Sequence, residues 1–162
     1  MNSRHPKSFA CYLLITLHFF LGIGALFSGA ALILFPDGSI LQLPLNILEH
    51  TPFQSFLIPG LILFIGLGIV PSITAIFLIS EKPFIAEKLS IYKDTHWSWS
   101  SSLYISFILI IWITVQIYLT QLIEFIHVFY IFLGLLIMAI TLLPSVKMHY
   151  SNTNLSHTLL KK

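Results

Sequence analysis

The chain has 162 residues, 57% of them hydrophobic and only 9% charged, with a mean hydropathy of +0.93. A soluble domain carries about 25% charged residues; so few charges do not cover a water-facing surface, and a lipid bilayer is the solvent that fits. The net charge of +2 and the absence of a basic stripe with interleaved aromatics exclude nucleic acid as a partner, and the single cysteine, Cys11, excludes an internal disulfide or a Cys-x-x-Cys redox pair.

A short basic head with Arg4 and Lys7 precedes the first apolar run, residues 9–35, which carries no formal charge and contains His18. A bilayer core needs about 20 apolar residues. The apolar part before the small-residue stretch Ser28-Gly29-Ala30 is about 19 residues, longer than the 7–15 of a signal peptide, so the run reads as a retained span. Residues 36–55 form a loop that is neither cleanly apolar nor charged. From Phe35 to Gly60 the chain holds four of the eight prolines and no Lys or Arg.

The second run is placed at 56–80. Thr51-Pro52 reads as a helix entry, because Thr caps and Pro is tolerated at the first helical position. Pro59-Gly60 then interrupts the run, so 52–60 is either a kinked helix or a re-entrant segment. Non-helical backbone at that depth needs protein cover, which predicts that Ile58-Pro59-Gly60 faces the bundle. Pro71 is expected to kink the span.

Residues 81–101 read as a polar loop. Phe84 to Tyr92 is patterned as a short amphipathic helix on the membrane, and Trp97 and Trp99 are placed in an aromatic belt. The third and fourth runs, 103–122 and 125–144, are separated by so few residues that they form a tight hairpin. Residues 145–162 form a polar tail.

This gives a single all-α domain, a four-helix transmembrane bundle with a Pro-rich external loop between helices 1 and 2. The eight basic residues are Arg4, Lys7, Lys82, Lys88, Lys93, Lys147, Lys161 and Lys162. All fall in the head, the middle loop and the tail, which puts both termini in the cytoplasm (N-in/C-in) by the positive-inside rule.

Several side chains are candidates for function. Gly24–Ser28, Ala25–Gly29 and Gly68–Ser72 are small-xxx-small pairs that let helix backbones approach in lipid, either within the chain or as a homo-oligomer seam. His18 is the ionisable residue well inside a span and a functional hypothesis by position. It either hydrogen-bonds to Thr114 or Gln116 of the third span or forms an intramembrane polar site with Gln116. Glu124 and His127 share a helix face and, with His50, offer donors for a metal at the outer mouth. No Gly-rich phosphate loop, Gly-x-Ser-x-Gly or His-Glu-x-x-His occurs, so no catalytic residue and no cofactor is assigned.

Gly29, Asp37-Gly38, Leu43-Pro44-Leu45, Thr51-Pro52-Phe53 and Phe56-Leu57-Ile58-Pro59-Gly60 together resemble a family of small bacterial four-span integral membrane proteins. Pro52, Phe53, Pro59 and Gly60 carry the loop motif. The resemblance implies four spans and a bacterial plasma (inner) membrane, and it implies no chemistry. The leading expectation is a non-enzymatic accessory or interaction subunit with a membrane-protein partner. The alternatives are a small oligomeric transporter or channel, and an enzyme with an externally bound metal.

Overall fold

Four apolar stretches become helices long enough to cross a bilayer: α1 (Phe9–Leu34), α2 (Leu57–Ser80), α3 (Trp97–Thr120) and α4 (Phe125–Leu142). A short helix, α5 (Pro144–His149), follows. The computed structural model describes residues 7–81 and 95–151. The basic head through Pro6, the Phe84–Tyr92 amphipathic stretch and the end of the tail lie outside the described residues. The fold is an all-helical bundle and the chain an integral membrane protein. Within it α1 pairs with α2, α3 with α4, and the α2–α3 and α1–α4 contacts close the ring. Leu14, Leu21, Leu67, Leu78, Ile105, Leu109 and Ile137 fill the core.

α1 and α2 meet along small residues. A β-carbon on Gly29 would lie 2.7 Å from the Phe64 backbone nitrogen, and one on Gly60 would lie 2.8 Å from Leu32 Cβ. Gly22 faces Gly68 and Ser72 across the same seam. Ala25–Gly29 belongs to this contact, whereas Gly24 is exposed and looks toward Tyr130.

The Pro59-Gly60 interruption does not form. Pro59 sits in the first turn of α2, where the backbone N–H has no helical acceptor to lose. Pro59 and Gly60 are buried against the bundle, while Ile58 is exposed. Thr51 is not the helix cap either: its hydroxyl accepts from Phe53 N–H at 3.1 Å and closes a turn before the helix begins. Pro71 is absorbed differently. The preceding Leu63–Ile69 segment is π-helical, with Val70 N–H bonded to Ile65 O. A proline ring clashes with the carbonyl four residues back, and the wider turn moves that carbonyl aside.

The polar loop is shorter than 81–101, because α3 already starts at Trp97. His96 caps it: its Nδ1 accepts from the Ser98 N–H at 3.4 Å and the Ser98 hydroxyl at 2.7 Å. Trp97 and Trp99 are therefore not a belt in the headgroups. Both are buried. Trp97 packs edge-on against Phe77 at 4.9 Å, and the Trp99 indole donates to Thr141 O at 2.7 Å. Thr141 is in the last turn of α4, where carbonyls lack helical partners, so Trp99 closes that end.

Candidate functional site

The Pro-rich segment is a built element rather than a slack connection. The Asp37 carboxylate accepts from the Ser39 N–H and hydroxyl at 3.2 and 2.8 Å. The Ser39 hydroxyl first and its N–H second hold the Asp37 carboxyl below the usual carboxylate range. Gly38 then takes φ +79°, where a side chain would also strike the Phe56 ring at 2.9 Å. Short 3-10 turns follow at Ser39–Leu41 and Leu45–Leu48. Phe56 N–H donates to Pro36 O at 2.9 Å and ties the two ends of the loop together. Leu32, Leu48 and Phe56 form a small core of their own, packed by Leu41, Leu43, Ile47 and Leu63. Ile40, Leu45 and Ile58 remain about half exposed on the outside. Of the motif residues, Pro59 and Gly60 are buried in α2, Phe53 is half-buried and Pro52 is exposed.

Glu124 and His127 serve the start of α4. Glu124 N–H donates to His127 Nδ1 at 3.0 Å, and the Glu124 side chain accepts from the His127 N–H, a reciprocal capping box. His50 is exposed in the turn after Leu48. The described residues hold no group of three or more His, Cys, Asp or Glu side chains placed to bind a metal ion.

His18 is fully buried, and its Nε2 lies 2.9 Å from Ser102 Oγ on α3. Its partner is thus Ser102, neither Thr114 nor Gln116. The register explains this. Ser102 is in the second turn of α3, close to the level of His18. Gln116 lies fourteen residues further along, roughly 21 Å at 1.5 Å per residue. Thr114 bonds back to Ile110 O. The Ser102 hydroxyl donates its single proton to Ser98 O at 3.0 Å, so it accepts from His18 Nε2–H. That tautomer leaves Nδ1 as a buried acceptor with no partner.

Two groups of polar residues were not visible in the sequence. One is a set of buried hydroxyls on α2, α3 and α4, of which Ser102 meets His18. Ser98, Ser102, Ser106, Thr74 and Thr141 are all fully buried, and Thr74 Oγ1 lies 2.8 Å from Ser101 Oγ between α2 and α3. Small hydroxyl residues satisfy themselves on the preceding turn and permit close helix approach. The serines from Ser98 to Ser101 carry that signal but fall in the stretch that reads as loop.

The other group sits at the end of the bundle where Lys7, Glu81 and His149 meet. Lys7 Nζ donates to Leu78 O and Ile79 O at 2.6 and 2.7 Å, the free carbonyls at the C-terminus of α2. It also pairs with Glu81 at 3.1 Å, and His149 Nε2 lies 3.0 Å from the same carboxylate oxygen. Tyr150 donates its hydroxyl to Leu78 O at 2.9 Å, and burial pushes its pKa above the phenol range. At Glu81 burial raises the pKa, but hydrogen bonds from His149 and Lys7 and their charges outweigh it, so the carboxyl sits below its usual range.

No protein-family model, curated protein or solved structure matches this chain.

Proposed function

We infer that this is a multi-pass protein of a bacterial plasma membrane, related to the small four-span family its loop motif resembles. Both termini are cytoplasmic, and the protein works as a non-enzymatic accessory or interaction subunit whose Pro-rich loop is the external contact surface. The observation that carries this reading is the loop's construction. A core of Leu32, Leu48 and Phe56 and the Phe56–Pro36 bond hold Ile40 and Leu45 outward on a fixed frame. A preformed surface binds without the entropy cost of ordering a loop. The positions of Lys7 and Lys147 at the opposite end support the orientation.

The test is site-specific photo-crosslinking in cells from Ile40 and Leu45, with lipid-facing Phe107 as control. A discrete protein adduct at the loop positions, absent at Phe107 and abolished by Phe56→Ala, supports the reading. Lipid adducts alone at all three positions refute it. Orientation is read separately, with a single cysteine introduced at Ser39 in a Cys11→Ser background and an impermeant maleimide added to intact spheroplasts. Protection of that cysteine reverses the assignment.

The buried His18–Ser102 and Thr74–Ser101 pairs favour a second reading, a small oligomeric transporter with a polar layer crossing three helices. Solute or ion flux in proteoliposomes that His18→Leu changes at equal protein incorporation would support it.

A further inference from the structure

The connection between α1 and α2 sets each of its carboxylates near an aliphatic side chain. Asp37 lies three residues before Ile40, and Glu49 four residues after Leu45; all four are exposed. Buried neighbours hold both pairs in place. Between Asp37 and Ile40 lies Gly38, buried at φ +79° beside the Phe56 ring. Between Leu45 and Glu49 lies Leu48, part of the loop's own core with Leu32 and Phe56. Turning either pair inward would break up that core.

The chain does not neutralise these carboxylates itself. Residues 36–60 contain no Lys or Arg, and neither does the turn at 121–124. The described lysines, Lys7 and Lys147, are at the opposite end. Both bonds from Ser39 fall on Asp37 Oδ1; among the described residues no other residue bonds Oδ2, and the Glu49 side chain has no partner. Glu124 is engaged in capping α4. This charge pattern selects the occupant. A second copy meeting the loop in a two-fold contact would set carboxylates against carboxylates. Anionic lipid headgroups are repelled for the same reason. Short external loops of membrane proteins are themselves poor in Lys and Arg, so a matching cationic surface belongs to a folded domain standing outside the bilayer.

We propose that the loop's partner is a protein domain outside the bilayer that sets Lys or Arg side chains beside an apolar contact. Its apolar residues cover Ile40 and Leu45, and its cations meet Asp37 and Glu49. Such a partner presupposes that the loop is the external contact surface proposed above. Each exposed ion pair contributes little affinity by itself. The carboxylates steer the encounter and reject like-charged surfaces, while the aliphatic contacts supply the hold.

The experiment uses the full chain in intact cells, with a photo-crosslinking residue at Ile40 or Leu45, in the natural sequence and in the double variant Asp37→Asn, Glu49→Gln. Asparagine still accepts the Ser39 bonds through its amide oxygen, so the turn survives. The expected result is an adduct with one discrete protein, with Lys or Arg in the crosslinked region and a yield that falls about three- to tenfold in the double variant. That protein is then crosslinked to the natural sequence in nanodiscs of zwitterionic lipid. Adduct yield should fall between about 0.05 and 0.5 M salt, a measurement independent of how the variant folds. Unchanged yield in either comparison overturns the cationic partner and leaves the contact surface standing, as does an adduct between two copies of this chain. Lipid adducts alone, or no adduct, overturn both.

Discussion

Gly29→Ala tests the α1–α2 seam on which the loop is mounted. The added methyl would lie 2.7 and 2.8 Å from the Phe64 backbone nitrogen and α-carbon. Carbon contacts are comfortable at about 3.5 Å, so the helices must separate by about 0.8 Å, because backbone cannot rotate away. A gap of that size forfeits about a quarter to a half of each contact's dispersion energy, and overpacking of this kind costs about 1–3 kcal/mol. Alanine returns up to about 1 kcal/mol of helix propensity. The net expectation is a loss of roughly 1–2 kcal/mol. Gly66→Ala is the matched control, since a β-carbon there meets nothing within 4 Å. It should be neutral or stabilising by up to about 1 kcal/mol. The assay is equilibrium unfolding in mixed micelles of increasing SDS fraction, followed by far-UV circular dichroism. Equal midpoints for the two variants would show that α1 and α2 do not touch at Gly29, and the packing argument would fall.

Three further outcomes follow from individual contacts. His18→Leu removes a buried acceptor without orphaning Ser102, which keeps Ser98 O; it should stabilise by about 1 kcal/mol in the same titration, and a loss of that size would mean that Nδ1 has a partner in the membrane. Trp99→Phe keeps the ring but strips the donor from Thr141 O and should cost about 1–2 kcal/mol, with Trp99→Leu no milder. Because the Glu81 carboxyl sits below its usual range in the fold, its contribution is present at neutral pH and is lost as pH falls through the acid range; acid titration of the unfolding midpoint should show a fall that Glu81→Gln removes, and an unchanged acid limb would sever Glu81 from the Lys7–His149 cluster.

The apolar runs made the four helices legible, because length and hydropathy alone decide what crosses a bilayer. What escaped the sequence was everything that depends on satisfying a polar group locally. Trp97 to Ser101 reads as loop by composition, yet His96 caps it and Ser98 and Ser101 find side-chain partners, so α3 starts nearly two turns earlier. Pro59-Gly60 reads as a break, yet a proline in the first helical turn forfeits nothing. Glu124 and His127 read as donors sharing a helix face, and at the start of α4 that same spacing forms a reciprocal capping box. His18 was visible and its partner was not, since one span boundary six residues out shifts every cross-helix pairing by about 9 Å.

The two ends of the bundle are built on opposite principles, and this bears on where function resides. At the residue 7 end, Lys7, Tyr150 and Trp99 donate to the last carbonyls of two helices, α2 and α4, and His149 and Lys7 pair with Glu81. At the loop end the α3–α4 hairpin has no buried residue from 114 to 132. Its capping is confined to Gln121, in the left-handed region at φ 55°, and to the Glu124–His127 box. A region with few buried contacts opens at lower free energy than the core it extends from. Any partner that grips the loop therefore meets the part of the bundle that yields most easily.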